Sequence, residues 1–245
     1  AVRLAANGLP ASPDAIEHHA VFLAAISPHG RADREGQASG LGRELRILES
    51  GLSIKKYPMC YATHRVIDGV LDMVAAHDLK PEEVSEVRAS IGLAQASMLR
   101  NRSPATGLEA KFSLEFAVAS ALVARRVGLQ ELTDGFVAQR PVREAMRKVR
   151  TATVDTHCPI EPAFALADRV VLELRDGRSL DSGEIRFARG NAKLPLKDEE
   201  LRAKFIDCAS GLGETAANDL YARLDRLGEL GSVRALAPQP AAAPA

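Results

Sequence analysis

The chain is poor in cysteine, has no net charge, and has no long apolar run, and each shortage removes a class of function. Cys60, Cys158 and Cys208 are its only cysteines. They have no close spacing of the kind that builds a zinc or redox motif, and an odd number argues against a disulfide framework, so a reduced, cytoplasmic setting is expected. Thirty-two basic residues balance 32 acidic ones. Nucleic acid, which selects a basic surface, is therefore not an expected partner. No apolar stretch approaches the ~20 residues that span a bilayer, so no membrane partner is expected, and the first residues lack the basic-then-apolar order of a signal peptide.

What is present suffices for a folded core. At 46% hydrophobic and 26% charged, 245 residues allow one or two domains. Pro10 and Pro13 punctuate an opening stretch, an apolar helix is expected near residues 15–26, and Pro28, Gly30 and the polar run to Gly42 read as a connection. Residues 45–48 fit a short helix or strand. Val66, Ile67, Val70, Leu71 and Val74 repeat at three- and four-residue spacings, which predicts a helix with one apolar stripe and leaves Asp68, Asp72 and His77 elsewhere on its surface. After Lys80-Pro81, residues 84–93 read as a strand with Val87, Ala89 and Ile91 on one face. Residues 108–123 read as one helix packing through Leu108, Phe112, Phe116 and Ala119, and residues 134–149 as another, capped by Thr133 and divided by Pro141. Strands are expected at 152–158, 169–174 and 179–187, with Asp176-Gly177 as the hairpin turn, followed by amphipathic helices at 197–209 and 214–227 and a disordered Pro-Ala tail from Ala237.

One segment carries more chemistry than the rest. Ile54-Lys55-Lys56-Tyr57-Pro58-Met59-Cys60-Tyr61-Ala62-Thr63-His64-Arg65 leads basic and aromatic residues through a proline into a helix start. Thr63 is expected as the N-cap, accepting from an early backbone N–H, while the remaining donors and Lys55, Lys56 and Arg65 favour a carboxylate. The same helix end disfavours imidazolium and would keep His64 neutral enough to act as a base. Spacing alone fits a plainer reading equally: Thr63 caps, His64 packs, and the lysines sit in water. Elsewhere, His18-His19 is a poor metal site because helical neighbours diverge, and His157-Cys158 would face opposite sides of a strand. Glu199-Glu200 reads as an acidic first helical turn, and Arg125-Arg126 and Arg147-Lys148 as solvated faces. No metal or cofactor is indicated.

This segment resembles the signature of the MmgE/PrpD family, in which a lysine, then Tyr-Pro, then an aromatic-Thr-His stand near a helix start. Ser103-Pro104-Ala105-Thr106-Gly107-Leu108-Glu109-Ala110-Lys111-Phe112-Ser113-Leu114-Glu115-Phe116 is similar to a second family block. Arg189-Gly190, Pro195-Leu196, Glu199-Glu200-Leu201 and Lys204-Phe205 resemble a third, and the three together cover about residues 41–210. The resemblance implies an α+β protein: an antiparallel-sheet lid domain at 49–190, flanked by parts of an all-helical domain at 1–48 and 191–236. Family members are about twice as long, so the chain is expected to be a fragment or truncated copy whose site is completed by an absent first half. The implied activity is that of a metal-independent lyase on a di- or tricarboxylate, most simply dehydration of 2-methylcitrate in propionate metabolism. An epimerase, isomerase or decarboxylase of the family, or a non-catalytic anion-binding or dimerising lid, stays open. A homodimer is expected. His64 is the expected acid or base, and Lys55, Lys56, Tyr57, Arg65, Lys111 and Ser113 are the expected substrate-binding residues. For Lys111 the competing reading is an i,i+4 pair with Glu115, and for Ser113 a small packing residue.

Overall fold

The computed structural model describes residues 45–236, together with residues 3, 6–8, 22, 42 and 43. The helix expected at 15–26, the connection to Gly42, the His18-His19 pair and the tail from Ala237 lie outside or almost wholly outside the described residues. Two compact units divide the chain, Ala1–Glu49 and Ser50–Ala245. Residues 45–48 fall at the short helix α1, Arg46–Ser50.

The apolar stripe after the signature does form a helix, α2, His64–His77, and it buries Val66, Ile67, Val70 and Val74 completely or nearly so. It ends where Asp78 turns left-handed at φ 49° and Leu79 N–H closes on the Val74 carbonyl at 3.2 Å. Beside it lies α5, Leu114–Val123, whose residues are apolar on every side except Glu115 and Ser120. A helix of that composition has no face to give to water, so it sits in the middle of the core.

Strand β1, Val84–Gly92, buries Val84, Val87, Ala89 and Ile91 on one side. Val84 and Val87 are three apart yet both buried because the pairing with β3, Arg169–Leu174, shifts between Val84 and Glu86, a bulge that resets the alternation. The hairpin to β4, Ser179–Asp181, turns at Gly177, whose φ of 88° suits only glycine without strain. With β2 at Val149–Val154, the sheet order is β2-β1-β3-β4. The sheet is mostly antiparallel and the fold is α+β, but β2 runs parallel to β1 with Val87 opposite Val149. A parallel partner needs a crossover. It is made by helices α3 (Leu93–Met98), α4 (Gly107–Ala110), α5, α6 (Asp134–Val137) and α7 (Arg140–Met146).

Three expected elements change. Residues 108–123 are not one helix: Thr106 caps α4 by accepting from Glu109 N–H, and Ser113 caps α5 by accepting from Phe116 N–H, so the chain restarts between them. Leu108 and Phe112 consequently face out, while Phe116 is buried edge-on to Phe136 at 6.1 Å. The strand expected at 179–187 stops at Asp181, whose carboxylate accepts from Gly183 N–H at 2.9 Å, and pairing resumes only as a bridge between Asp168 and Ile185. The strand expected at 152–158 instead covers Val149–Val154, so Cys158 is tied into a loop through the Phe164 carbonyl and His157 lies exposed near Asp155. Pro141 does divide 134–149, standing in the first turn of α7.

Helices α8, Asp198–Cys208, and α9, Glu214–Asp225, follow the expected boundaries closely and meet through Phe205 and Tyr221 at 5.3 Å. Among the described residues no helix is long and apolar enough to cross a membrane.

Gly190 ties the signature to the third block. Ile54 N–H donates to its carbonyl at 2.7 Å, its φ is 89°, and a Cβ there would stand 2.0 Å from the Ile54 carbonyl oxygen. Gly190→Ala should therefore cost about 2 kcal/mol or more, since left-handed strain and a backbone clash add. Urea unfolding followed by circular dichroism measures this, and a loss below about 0.5 kcal/mol would mean the 54–190 junction yields easily.

Candidate active site around His64

The signature folds as an irregular run that bends over residues 56–59, a single 3₁₀ turn at Tyr61–Thr63, and then α2. That turn alters the expected cap. Thr63 already has helical angles, and its hydroxyl donates backwards to the Cys60 carbonyl at 2.8 Å instead of accepting from α2. Cys60 N–H in turn donates to the Lys111 carbonyl at 2.9 Å, which joins the first two sequence blocks through main chain.

His64 is wholly buried, and neither ring nitrogen makes a well-formed hydrogen bond, although the main-chain carbonyls of Met59 and Tyr57 stand near enough to favour a proton on the ring. Its ring stands edge-on to Tyr57 at 5.1 Å and to Tyr61 at 5.0 Å between centroids. Burial lowers its pKa to about 4, with the nearby charges of Lys55 and Lys204 acting in the same direction and the main-chain carbonyls of Met59 and Tyr57 partly opposing it. The imidazole is neutral at pH 7. Desolvation, more than the helix end invoked from sequence, keeps it so.

The other expected site residues divide into engaged and unengaged side chains. The Tyr57 hydroxyl donates to Asp68 Oδ1 at 2.6 Å in the core. Burial pushes that phenol far above its ordinary range, with Asp68 adding to the effect. Arg65 is also buried: its Nη1 donates to the Ala165 carbonyl and its Nη2 to Glu161 Oε2, both at 2.8 Å, and Asp168 Oδ1 lies 3.6 Å away. Lys56 is paired with Glu200 and lies over the Tyr57 ring at 5.7 Å. Ser113 is buried and commits its hydroxyl to the cap of α5. Lys55 is exposed and Lys111 partly so, and among the described residues neither forms an ion pair, with Glu115 or otherwise.

Several residues missed from sequence support the site. Asp68, expected at the surface, is buried; besides Tyr57 it accepts from Arg189 N–H at 2.7 Å, while Arg189 Nη2 grips Asp72 at 2.6 and 2.8 Å. Burial raises the Asp68 pKa, opposed by Tyr57 and Arg189. A signal existed: His64, Asp68 and Asp72 follow one another at i,i+4 along α2, a polar row beside the apolar stripe. Asp168 and Gln95 had none. Gln95 Nε2 donates to both Asp168 oxygens, at 2.8 and 3.1 Å, while burial lifts the Asp168 carboxyl to about 7 against the pull of Arg65 and Gln95. Glu161, which shares the Arg65 guanidinium with Asp168, adds a smaller push in the same direction as burial.

A cleft of about 540 Å³ beside Tyr57 is lined on the cationic side by Lys56, Arg125, Arg126 and Lys204, of which Arg125 is paired with Asp78. Lys56 and Arg126 already hold Glu200 and Glu131, so the cleft is of mixed charge and offers few unmatched cations. Among the described residues, no group of three His, Cys, Asp or Glu side chains could hold a metal ion.

What this arrangement offers chemically is a buried neutral base at a helix start, walled by two phenol rings, with two unpaired lysines at the ends of the segments that build it. Comparison with known families matches the MmgE/PrpD C-terminal domain over residues 57–226. The chain belongs to the MmgE/PrpD family. Tyr57, His64, Arg65, Lys111, Ser113, Arg189 and Gly190 all lie inside the matched span, whereas Lys55 and Lys56 stand just before it. No curated protein matches the chain.

Proposed function

We propose that this MmgE/PrpD domain supplies the lid side of a lyase acting on a di- or tricarboxylate, most simply the dehydration of 2-methylcitrate. The observation that carries the reading is His64, a neutral imidazole with both nitrogens uncommitted inside the family signature. In such a reaction a base removes the proton beside a carboxylate, negative charge grows on the carboxylate oxygens, and hydroxide leaves from the neighbouring carbon. His64 is the acid or base. Lys55 and Lys111, which hold no other anion, are the carboxylate partners, and Lys204 adds positive potential near His64. Tyr57, Arg65 and Ser113 shape the site: the Tyr57 hydroxyl donates to Asp68, both terminal nitrogens of Arg65 are committed while its Nε is buried without a partner, and Ser113 accepts at the cap of α5. Lys56, bound to Glu200, reaches a substrate only by exchanging partners. A homodimer and a cytoplasmic location belong to the same reading.

Turnover should appear when the chain is combined with a separately expressed helical domain of the family, and be at most slight with the chain alone. In that assembly, Lys55→Ala and Lys111→Ala should each weaken binding of a tricarboxylate about ten- to a hundred-fold, and binding of a monocarboxylate much less. Calorimetric titration at fixed salt makes the comparison. Equal, small losses for every anion would withdraw both lysines from the site.

A further inference from the structure

We infer that Tyr61 is a gate over His64, latched by Asn191, and that its outward rotation is the movement that admits a ligand to the imidazole. This rests on the reading of His64 as the acid-base group and adds to it the unequal way in which the two rings beside the imidazole are held. A base that is wholly buried and has no partner for either nitrogen meets a substrate only if part of its wall moves.

The two aromatic walls differ in how they are held. Tyr57 is buried, its hydroxyl donates to Asp68 at 2.6 Å, and Asp68 is fixed by Arg189. Moving it would break a core network. Tyr61 is only half-buried and stands on a single 3₁₀ turn. Its hydroxyl oxygen accepts from Asn191 Nδ2 at 3.1 Å and its hydroxyl also faces the Glu161 carboxylate, to which that same amide nitrogen donates at 3.1 Å. A donor divided between two acceptors holds each weakly, so Tyr61 is the wall that opens at least cost.

The latch is itself well built. Asn191 is buried, and its Oδ1 accepts from Lys193 N–H at 2.8 Å. Glu161 is held from its other oxygen by Arg65. Phe164 closes the far side of Tyr61, edge-on at 5.3 Å, and lies against the Arg65 guanidinium. Two loops far from the signature in sequence thus converge on one phenol. The ionisable groups facing His64 are Lys55, Tyr57, Tyr61 and Lys204, with Asp68 behind Tyr57 and Glu161 beside Tyr61.

Diethylpyrocarbonate modification, read residue by residue by mass spectrometry on the intact chain, tests the gate without any turnover. The reagent attacks neutral imidazole, and His64 is already neutral at pH 7, so its rate there reports access and not protonation. His64 should react far more slowly than His77, which is exposed on the same helix. Tyr61→Ala should accelerate His64 at least ~10-fold, and Asn191→Ala about five-fold, while His77 stays constant. Because Tyr61→Ala removes packing as well as the latch, Tyr61→Phe is the deciding variant: it keeps the ring and loses only the hydroxyl's contacts with Asn191 and Glu161, and it too should speed His64 several-fold with an unchanged circular dichroism spectrum. Equal rates for His64 and His77 in the unaltered chain, or a His64 rate unmoved in both Tyr61→Phe and Asn191→Ala, would overturn the gate. Failure of the lyase reading would show differently, as turnover left intact by replacement of His64, whatever the modification rates.

Discussion

His64→Leu is expected to make the protein more stable and almost inactive. Two unpaired polar atoms in the core cost about 1–3 kcal/mol each, whereas the edge-on packing of the imidazole on each of its two tyrosine neighbours contributes about 0.5–1.5 kcal/mol. Leucine fills nearly the same space, so the difference should surface as a gain of about 1 kcal/mol or more. Turnover of the assembled enzyme should fall ~100-fold or more, the scale of a lost acid-base group. Opposite signs for stability and activity are what a site residue retained against its folding cost produces. A fall in melting temperature with turnover preserved would instead identify His64 as a packing residue.

The second expected result concerns pH. His64 gives up its proton at about pH 4 in the folded state and at 6.5 ordinarily, so between these values the unfolded chain binds the extra proton. The penalty for burying it is smallest above pH 6.5 and grows on acidification to about 4, by about 3 kcal/mol, so stability is lost as pH falls. Asp168 behaves in the reverse sense. Its carboxyl keeps a proton to about pH 7 when folded but ordinarily loses it at 3.8, so the folded state binds the extra proton across that window. That contribution is complete below 3.8 and is lost as pH rises to about 7, amounting to about 4 kcal/mol. The two slopes nearly cancel in the unaltered chain. Asp168→Asn should unmask a stability that climbs from pH 4 to 6.5, and His64→Leu one that falls over the same range, each by roughly 1 kcal/mol per pH unit. Urea unfolding of the two variants at pH 4.5 and 6.5 reads the contrast, and since all other groups are common to both, parallel curves would refute it.

Local patterns in the sequence carried a good part of this molecule. The apolar stripe of α2, the alternation of β1, the Asp176-Gly177 hairpin and the acidic start of α8 each depend on neighbours within a few residues, and each was legible. The parallel pairing of β1 with β2 was not, because it depends on where a long helical crossover returns the chain. The break at residues 111–113 was signalled by Thr106 and Ser113, both good N-caps, but the apolar spacing through Leu108, Phe112 and Phe116 masked it. At the site, the place of His64 at the start of α2 could be read from the signature, and its neutral state was expected from the helix end where burial is the main cause. The engagement of Tyr57 and Arg65 could not: what commits them includes Arg189, Glu161, Ala165 and Asp168, about a hundred or more positions away, and no local spacing reports such contacts.

The central claim is that His64 is held as a buried neutral base, and the ¹⁵N chemical shifts of its imidazole, followed through a pH titration of the intact chain, test it most directly. The ring should stay neutral from pH 7 down to a midpoint near 4, with the two nitrogens keeping the shifts of a single, unexchanged tautomer. A midpoint at 6.5 or above would show an imidazole in contact with water or with an anionic partner, and the buried-base account of this site would be contradicted.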